Sequence, residues 1–254
     1  MKKYYFLTLL LPFNLIAADK DNYPAPLRLL TQQGGEIVSE FKAPAQMTGY
    51  VASIQGQTIA LYVTQDGQYL FPGPMLDVDG NDLGEERIQA YEQGPKALKS
   101  WQALENSHWV RDGSSSAPHI VYTFTDPNCP YCKQLWKNAR PWIESGEVQL
   151  RHILVGILRD DSLGKAAAIL SADDPAEQFK KLEQGSLFDA LKPLENPDQE
   201  VQDMLIKNYE TMMYLGASAT PATFYKNKQG EFKAQAGLPP PALMAEIFGS
   251  NKSK

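Results

Sequence analysis

The sequence holds only two cysteines in 254 residues, both within the stretch "DPNCPYCKQLW" at 126–136. Two thiols close at most one intramolecular bond, so a scaffold stapled by several disulfides is excluded. Histidine is nearly as scarce, with only His108, His119 and His152. None stands at ligand spacing from the cysteines, which counts against a zinc site with its usual four Cys/His ligands and leaves only a zinc shared between two chains. Basic residues are outnumbered, 24 Lys and Arg against 30 Asp and Glu, and they are scattered. A nucleic-acid partner is excluded on that ground, because phosphate binding needs clustered positive charge. There is no internal repeat and no low-complexity tract. Beyond the first eighteen residues no apolar run is long enough to span a bilayer.

Those first residues have a character of their own. Met1-Lys2-Lys3 precedes an apolar run from Tyr4 to Ala18 and then the charged Asp19. A basic head, a short apolar stretch and small residues at the end predict a cleaved secretory signal over 1–18, although Leu15 and Ile16 sit at the −3 positions of the two best cuts. Export without Lys2 and Lys3 moves the formal charge from −6 to −8. It also places the thiols in an oxidising compartment, where stray cysteines are a hazard. A bond between residues 129 and 132 closes a tiny loop and constrains the unfolded chain very little, so a structural staple is a weak explanation. A redox pair is the reading that remains.

Residues 36–79 alternate apolar and polar positions, as in "TIALYVTQDGQYLF", with hairpin signals at Asp66-Gly67 and Asp79-Gly80. A short helix or arm precedes them at 21–33. This β-rich unit is too small to bury a large core alone. Residues 84–110 read as a polar helical linker outside the core, broken at Gly94-Pro95, and "RDGSSSAP" (111–118) reads as a boundary. After it come a strand at 119–126 and a helix at 131–143 that Pro141 should kink or end. A long strand at 147–158 follows, then one or two helices over 162–185 and another over 198–218. A hairpin of "ATFYK" and "EFKAQAG" and a terminal helix opened by proline complete the chain. The order is that of an α/β (α+β) sheet domain with a helical insertion.

A C-x-x-C pair opening a helix after a strand meets three chemical demands. Residues three apart share a helix face and lie close enough to bond. The helix start offers free N–H groups and partial positive charge, which favour thiolate over thiol. The two sulfurs differ in access. Asn128 is the expected N-cap, Cys129 the first helical residue at an exposed tip, and Cys132 the more buried partner a turn deeper. Cys129 then attacks and Cys132 resolves. A drop of about two units from a free-thiol pKa near 8.5 raises the thiolate fraction at pH 7 from about 3% to about 75%. Nucleophilicity falls about tenfold, so attack gains only about two- to threefold, while departure of that sulfur gains more. Asp126 reads as a turn residue before Pro127. His119 and His152 read as packed or surface residues, and Trp101, Trp109, Trp136 and Trp142 as packing residues. Pro221 in "GASATPATFY" precedes a strand, and sequence physics does not choose its isomer.

"FTDPNCPYCKQLW", "SATPATFY" and the order of elements resemble the thioredoxin fold. With "ARPWIESGEVQLR" and "NSHWV", the chain from 19 to 254 is similar to the periplasmic DsbC/DsbG family of disulfide isomerases and reductases, nearer to its DsbG branch. The resemblance implies a cystatin-like dimerisation domain at 19–82, a helical linker at 83–113 and a thioredoxin-like catalytic domain at 114–254. It implies a V-shaped homodimer with both Cys129 sites facing the cleft. It implies a redox-active Cys129–Cys132 pair, a cis Pro221, and Thr220, Pro221, Pro130 and Tyr131 as substrate-binding residues. The partners implied are periplasmic client proteins with cysteines and a DsbD-type membrane electron donor. The activities implied are disulfide isomerisation or reduction, reduction of cysteine sulfenic acids, and chaperoning. Thiol exchange needs no metal or organic cofactor. Two other readings stay open on the residues: a dithiol oxidase, since the chemistry is symmetric, and a redox-independent chaperone.

Overall fold

The computed structural model describes residues 22–185 and 190–249, so the expected signal at 1–18 lies outside the described residues. The chain divides into two compact units, one up to Ile88 and one from Gln89.

The first unit opens with helix α1 (Ala25–Gln32) and continues as the antiparallel strands β1 (Glu36–Lys42), β2 (Thr48–Ile54), β3 (Gln57–Val63) and β4 (Leu70–Pro72), paired in sequence order. The period of two sorts the apolar residues onto the two faces. Tyr50, Ala52, Leu61 and Val63 pack with Leu27 of α1 on one face, and Val51, Ala60 and Tyr62 with Phe41 on the other. The Asp66-Gly67 signal marks the β3–β4 turn as expected, with Gly67 at φ +70°. The tighter β2–β3 turn sits at Gln55-Gly56, with φ values of +50° and +83°. Two successive left-handed residues match the twist of the strands they join, and glycine takes the second at no steric cost.

Residues 84–110 depart from the expected linker in three ways. The helix is not broken at Gly94-Pro95. It runs as α2 (Glu85–Tyr91), a five-residue π-turn (Glu92–Lys96) and α3 (Ala97–Glu105). Pro95 has no N–H to give, and a locally widened turn accommodates its ring without ending the helix. The α3 segment also reaches the core, where Trp101 and Leu104 pack with Tyr122, Phe124 and Met212. Finally, Trp109–Asp112 form a short strand, β5, where a helix end and a boundary were expected. Four residues give too little alternation to signal a strand, and the pairing partner lies forty residues away.

The second unit is a five-stranded sheet ordered β5-β7-β6-β8-β9. Its further strands are β6 (His119–Thr125), β7 (Val148–Leu154), β8 (Ala222–Lys226) and β9 (Phe232–Ala236). The β6–β7 pair is parallel and the others are antiparallel. Helices α4 (Pro130–Glu144), α5 (Ser162–Leu170), α6 (Pro175–Gln184), α7 (Gln199–Tyr214) and α8 (Pro241–Phe248) cover it. Central β6 is covered on both faces, with Val121 and the buried Thr123 and Thr125 on one and Tyr122 and Phe124 on the other. Val121 faces Leu135 and Ile247, while Tyr122 and Phe124 face Trp101 and Phe224. Helix α4 passes straight through Pro141 and ends three residues later. The carbonyl that Pro141 leaves without a donor is that of exposed Lys137 one turn back, where water can serve it. Strand β7 stops at Leu154, earlier than expected. Val155 still donates to the Thr125 carbonyl, and the N–H groups of Ile157 and Leu158 turn instead to the Asp126 carboxylate.

Candidate active site

Strand β6 delivers the chain at its C-terminal end into the loop Asp126–Cys129, and α4 begins at once. The N-cap is Cys129, not Asn128. Pro130 at N1 has no N–H to lose and a φ already suited to the helix. The Asn128 side chain is engaged elsewhere, donating to Asp161 Oδ1 at 2.8 Å and Ser162 Oγ at 2.9 Å and accepting from Lys165 Nζ at 2.9 Å. The cap acceptor is therefore the sulfur itself: Cys132 N–H donates to Cys129 Sγ at 3.1 Å.

Cys129 and Cys132 form a disulfide with their Cα atoms 5.2 Å apart. Both are buried, at 4% and 2% exposure, so Cys129 is not the exposed tip that helix position alone predicts. The Thr220 backbone lies against it. The asymmetry of access survives in another form. A cleft of about 300 Å³ is lined by Cys129 and not by Cys132, with Pro127, Pro130, Lys137, Arg159 and Glu183 among its walls. A larger cavity of about 380 Å³, lined by Asp112 and Arg140, contains neither cysteine.

The Thr220–Pro221 peptide is cis, and the Thr220 carbonyl oxygen lies 3.4 Å from Cys129 Sγ. The Thr220 hydroxyl is buried and has no hydrogen-bond partner among the described residues. The structure thus brings Thr220 and Pro221 beside the pair from almost a hundred residues away. Pro130 and Tyr131 are exposed, Tyr131 at 62%.

Asp126 is far more than a turn residue. Fully buried, it accepts from Asn128 N–H (2.8 Å), Ser162 Oγ (2.9 Å), Ile157 N–H (2.7 Å) and Leu158 N–H (2.9 Å). One carboxylate thereby ties the loop before Cys129 to the loop after β7 and to the start of α5. His152 is a packed residue, as expected. It is buried against Phe179, with Nδ1 3.1 Å from Thr125 Oγ1 and Nε2 3.5 Å from Asp112 Oδ2. Burial pushes its pKa down against the pull of Asp112. Burial would raise Asp112, but the nearby His152 ring and the Arg140 guanidinium outweigh it and hold that carboxyl below the usual range.

Glu183 went unnoticed at the level of sequence. It lies on α6, is 3% exposed, and lines the Cys129 cleft. Burial pushes its pKa up to about 7, against the pull of Lys133. Lys133 and Lys137 are legible as an i, i+4 pair on the helix that the cysteine opens. Nothing local points to Arg159 or Glu183, because the loop after β7 brings the one to the cleft and helix α6 the other.

Known proteins carry the same two parts. Residues 113–250 match the thioredoxin-like domain family, and residues 17–85 match the disulfide bond isomerase protein N-terminal domain. The thiol:disulfide interchange protein DsbG of Pseudomonas aeruginosa is 43% identical over 234 residues, which cover 92% of this chain and 91% of that protein. DsbG of Escherichia coli K12 is 38% identical over 250 residues, 98% of this chain and 100% of that protein. The E. coli thiol:disulfide interchange protein DsbC is 27% identical over 255 residues, 99% of this chain and 98% of that protein. A mixed five-stranded sheet of thioredoxin type, a cysteine pair at its helix start and near full-length likeness agree with one another: this chain belongs to the DsbC/DsbG family of thiol:disulfide interchange proteins.

Proposed function

We propose that this chain is an exported thiol-disulfide oxidoreductase of the periplasm, acting on proteins as a disulfide isomerase and reductase. Cys129 is the attacking sulfur and Cys132 the resolving one. The observation that carries this reading is the position of Cys129 Sγ, which lines the cleft and accepts the Cys132 N–H.

The Cys129 thiolate attacks one sulfur of a client disulfide. A mixed disulfide forms and the client's other sulfur leaves as thiolate. In isomerisation, a client thiolate then attacks the mixed disulfide and regenerates the Cys129 thiolate, with no net change in oxidation state. In reduction, the Cys132 thiolate attacks Cys129 Sγ. The second client thiolate departs and the pair closes as a disulfide, having supplied two electrons. Toward a client sulfenic acid, Cys129 attacks the S–OH sulfur, hydroxide leaves and is protonated to water, and Cys132 resolves as before. A DsbD-type membrane donor returns two electrons to the pair.

Thr220, Pro221, Pro130 and Tyr131 hold the client. The Thr220 carbonyl close to the sulfur and the exposure of Pro130 and Tyr131 support that role. Residues 1–18 are the export signal, 19–82 the homodimerisation domain, 83–113 a connecting segment whose α3 and β5 pack with the second unit, and 114–254 the rest of the catalytic domain; chaperoning is a further activity of the protein. The N-terminal domain match over 17–85 supports the homodimer.

A Cys132→Ala variant tests the assignment. Expressed in cells, it should accumulate mixed disulfides through Cys129 that reducing agent releases. Absence of any trapped client, with folded variant present in the periplasm, overturns it.

A further inference from the structure

The cleft that holds Cys129 differs in charge from the rest of the molecule. The whole chain is acidic, at −6. The cleft walls instead carry Lys133, Lys137 and Arg159, with Glu183 as the one carboxyl. Lys137 and Arg159 are exposed and form no ion pair among the described residues. They approach from independent elements, Lys137 from α4 two turns beyond Cys129 and Arg159 from the loop after β7. The Asp126 carboxylate fixes that loop through the N–H groups of Ile157 and Leu158, so Arg159 stands at a defined end of it. Lys137 and Arg159 line the same space of about 300 Å³, so both charges act on whatever enters it.

We propose that Lys137 and Arg159 form a carboxylate subsite beside Cys129, so that the chain selects client segments in which Asp or Glu stands close to the cysteine under attack. This rests on the oxidoreductase reading above and names its substrate class. An acidic client is repelled by the molecule as a whole and drawn in only at the cleft. The same cations favour the thiolate that departs as the mixed disulfide forms. Glu183, facing Lys133, Lys137 and Arg140 of α4 and Asp112 of β5, is buried at the wall. In its protonated form it leaves the positive charge of the cleft undiminished.

The test uses reduced full-length protein and three short disulfide-bonded peptides that differ only in the residues flanking cysteine: two aspartates, two serines or two lysines. The second-order reduction rate should run aspartate over serine over lysine, with about a fivefold advantage for aspartate over serine at low ionic strength, and should shrink toward unity in high salt. In a Lys137→Gln, Arg159→Gln double variant the aspartate-to-serine ratio should fall to about one. Wild-type protein that reduces all three peptides at equal rates overturns the subsite and leaves the oxidoreductase reading standing. Wild-type protein inert toward all three overturns that reading itself. Oxidised glutathione supplies the control for source: its carboxylates belong to a small molecule, and equal sensitivity of its reduction to the double substitution overturns the assignment to a peptide segment.

Discussion

The Cys132 backbone N–H donates to Cys129 Sγ at 3.1 Å, so that sulfur occupies the position that a serine or aspartate oxygen takes at an ordinary helix start. In the reduced protein the same geometry offers a charge-assisted hydrogen bond to the thiolate, added to the field of a fifteen-residue helix. Cys129 should therefore ionise below the free-thiol value of about 8.5. Alkylation rate against pH in a Cys132→Ala background measures it, and a Cys129 that remains protonated well above pH 8 removes the basis of the mechanism.

Asp126 should be among the most sensitive residues outside the pair. Removing its carboxylate strands two backbone N–H donors, from Ile157 and Leu158, along with those of Asn128 and the Ser162 hydroxyl. Each buried unsatisfied group costs about 1–3 kcal/mol. Asp126→Ala should lose about 3–5 kcal/mol in urea unfolding, and client reduction should slow because Arg159 and the Cys129 loop lose their common anchor. A loss below about 1 kcal/mol contradicts this account.

Asn208 on α7 is a second internal tie. Its amide donates to the carbonyls of His108 and Leu154, and its oxygen accepts from His108 N–H. It is fully buried. Asn208→Leu keeps the volume and strands all three backbone groups, with an expected cost of about 3 kcal/mol in chemical denaturation. Near-neutral behaviour of that variant would mean water replaces the amide.

Glu183 sets a pH dependence whose sign follows from its raised pKa. Below about pH 4.5 the carboxyl is protonated in both folded and unfolded chains, and its contribution is fully present. Between 4.5 and about 7 the folded state keeps a proton that the unfolded chain has lost, so stability falls as pH rises and levels off above about 7. The span corresponds to about 3 kcal/mol. Glu183→Gln should therefore gain stability relative to the native chain at pH 8 compared with pH 5, by about 2.5 kcal/mol because part of the loss already lies below pH 5. The preference for acid-flanked peptides should also decline from pH 6 to pH 8 in the native protein and hold steady in Glu183→Gln. Parallel stability curves for the two proteins rule out the buried proton.

Several parts of this molecule could be read without coordinates. The β-rich character of the N-terminal unit follows from "TIALYV" and the Asp66-Gly67 turn signal, and the cysteine pair from two cysteines three apart after a strand. Helix-breaking residues misled, because their effect depends on neighbours. Pro95 is absorbed by a π-turn, and Pro141 lacks only the donor for the carbonyl of Lys137, an exposed residue. Trp101 and Leu104 looked like residues of a linker because their partners, Tyr122 and Phe124, lie on a different element.

What the sequence alone determined is local: that the only two cysteines stand three apart, that a helix begins there, and that Pro130 suits its first turn. Local rules also named the wrong cap, since the Asn128 amide is drawn off by Asp161 and Ser162, residues more than thirty positions away. The tertiary structure decided everything that depends on distant segments meeting. It buried Cys129, set the Thr220 carbonyl beside it, made Asp126 an anchor and placed Arg159 and Glu183 in the cleft. The physical reason is range: helix and strand propensities act over a few residues, while burial and electrostatics act between whatever the fold brings together.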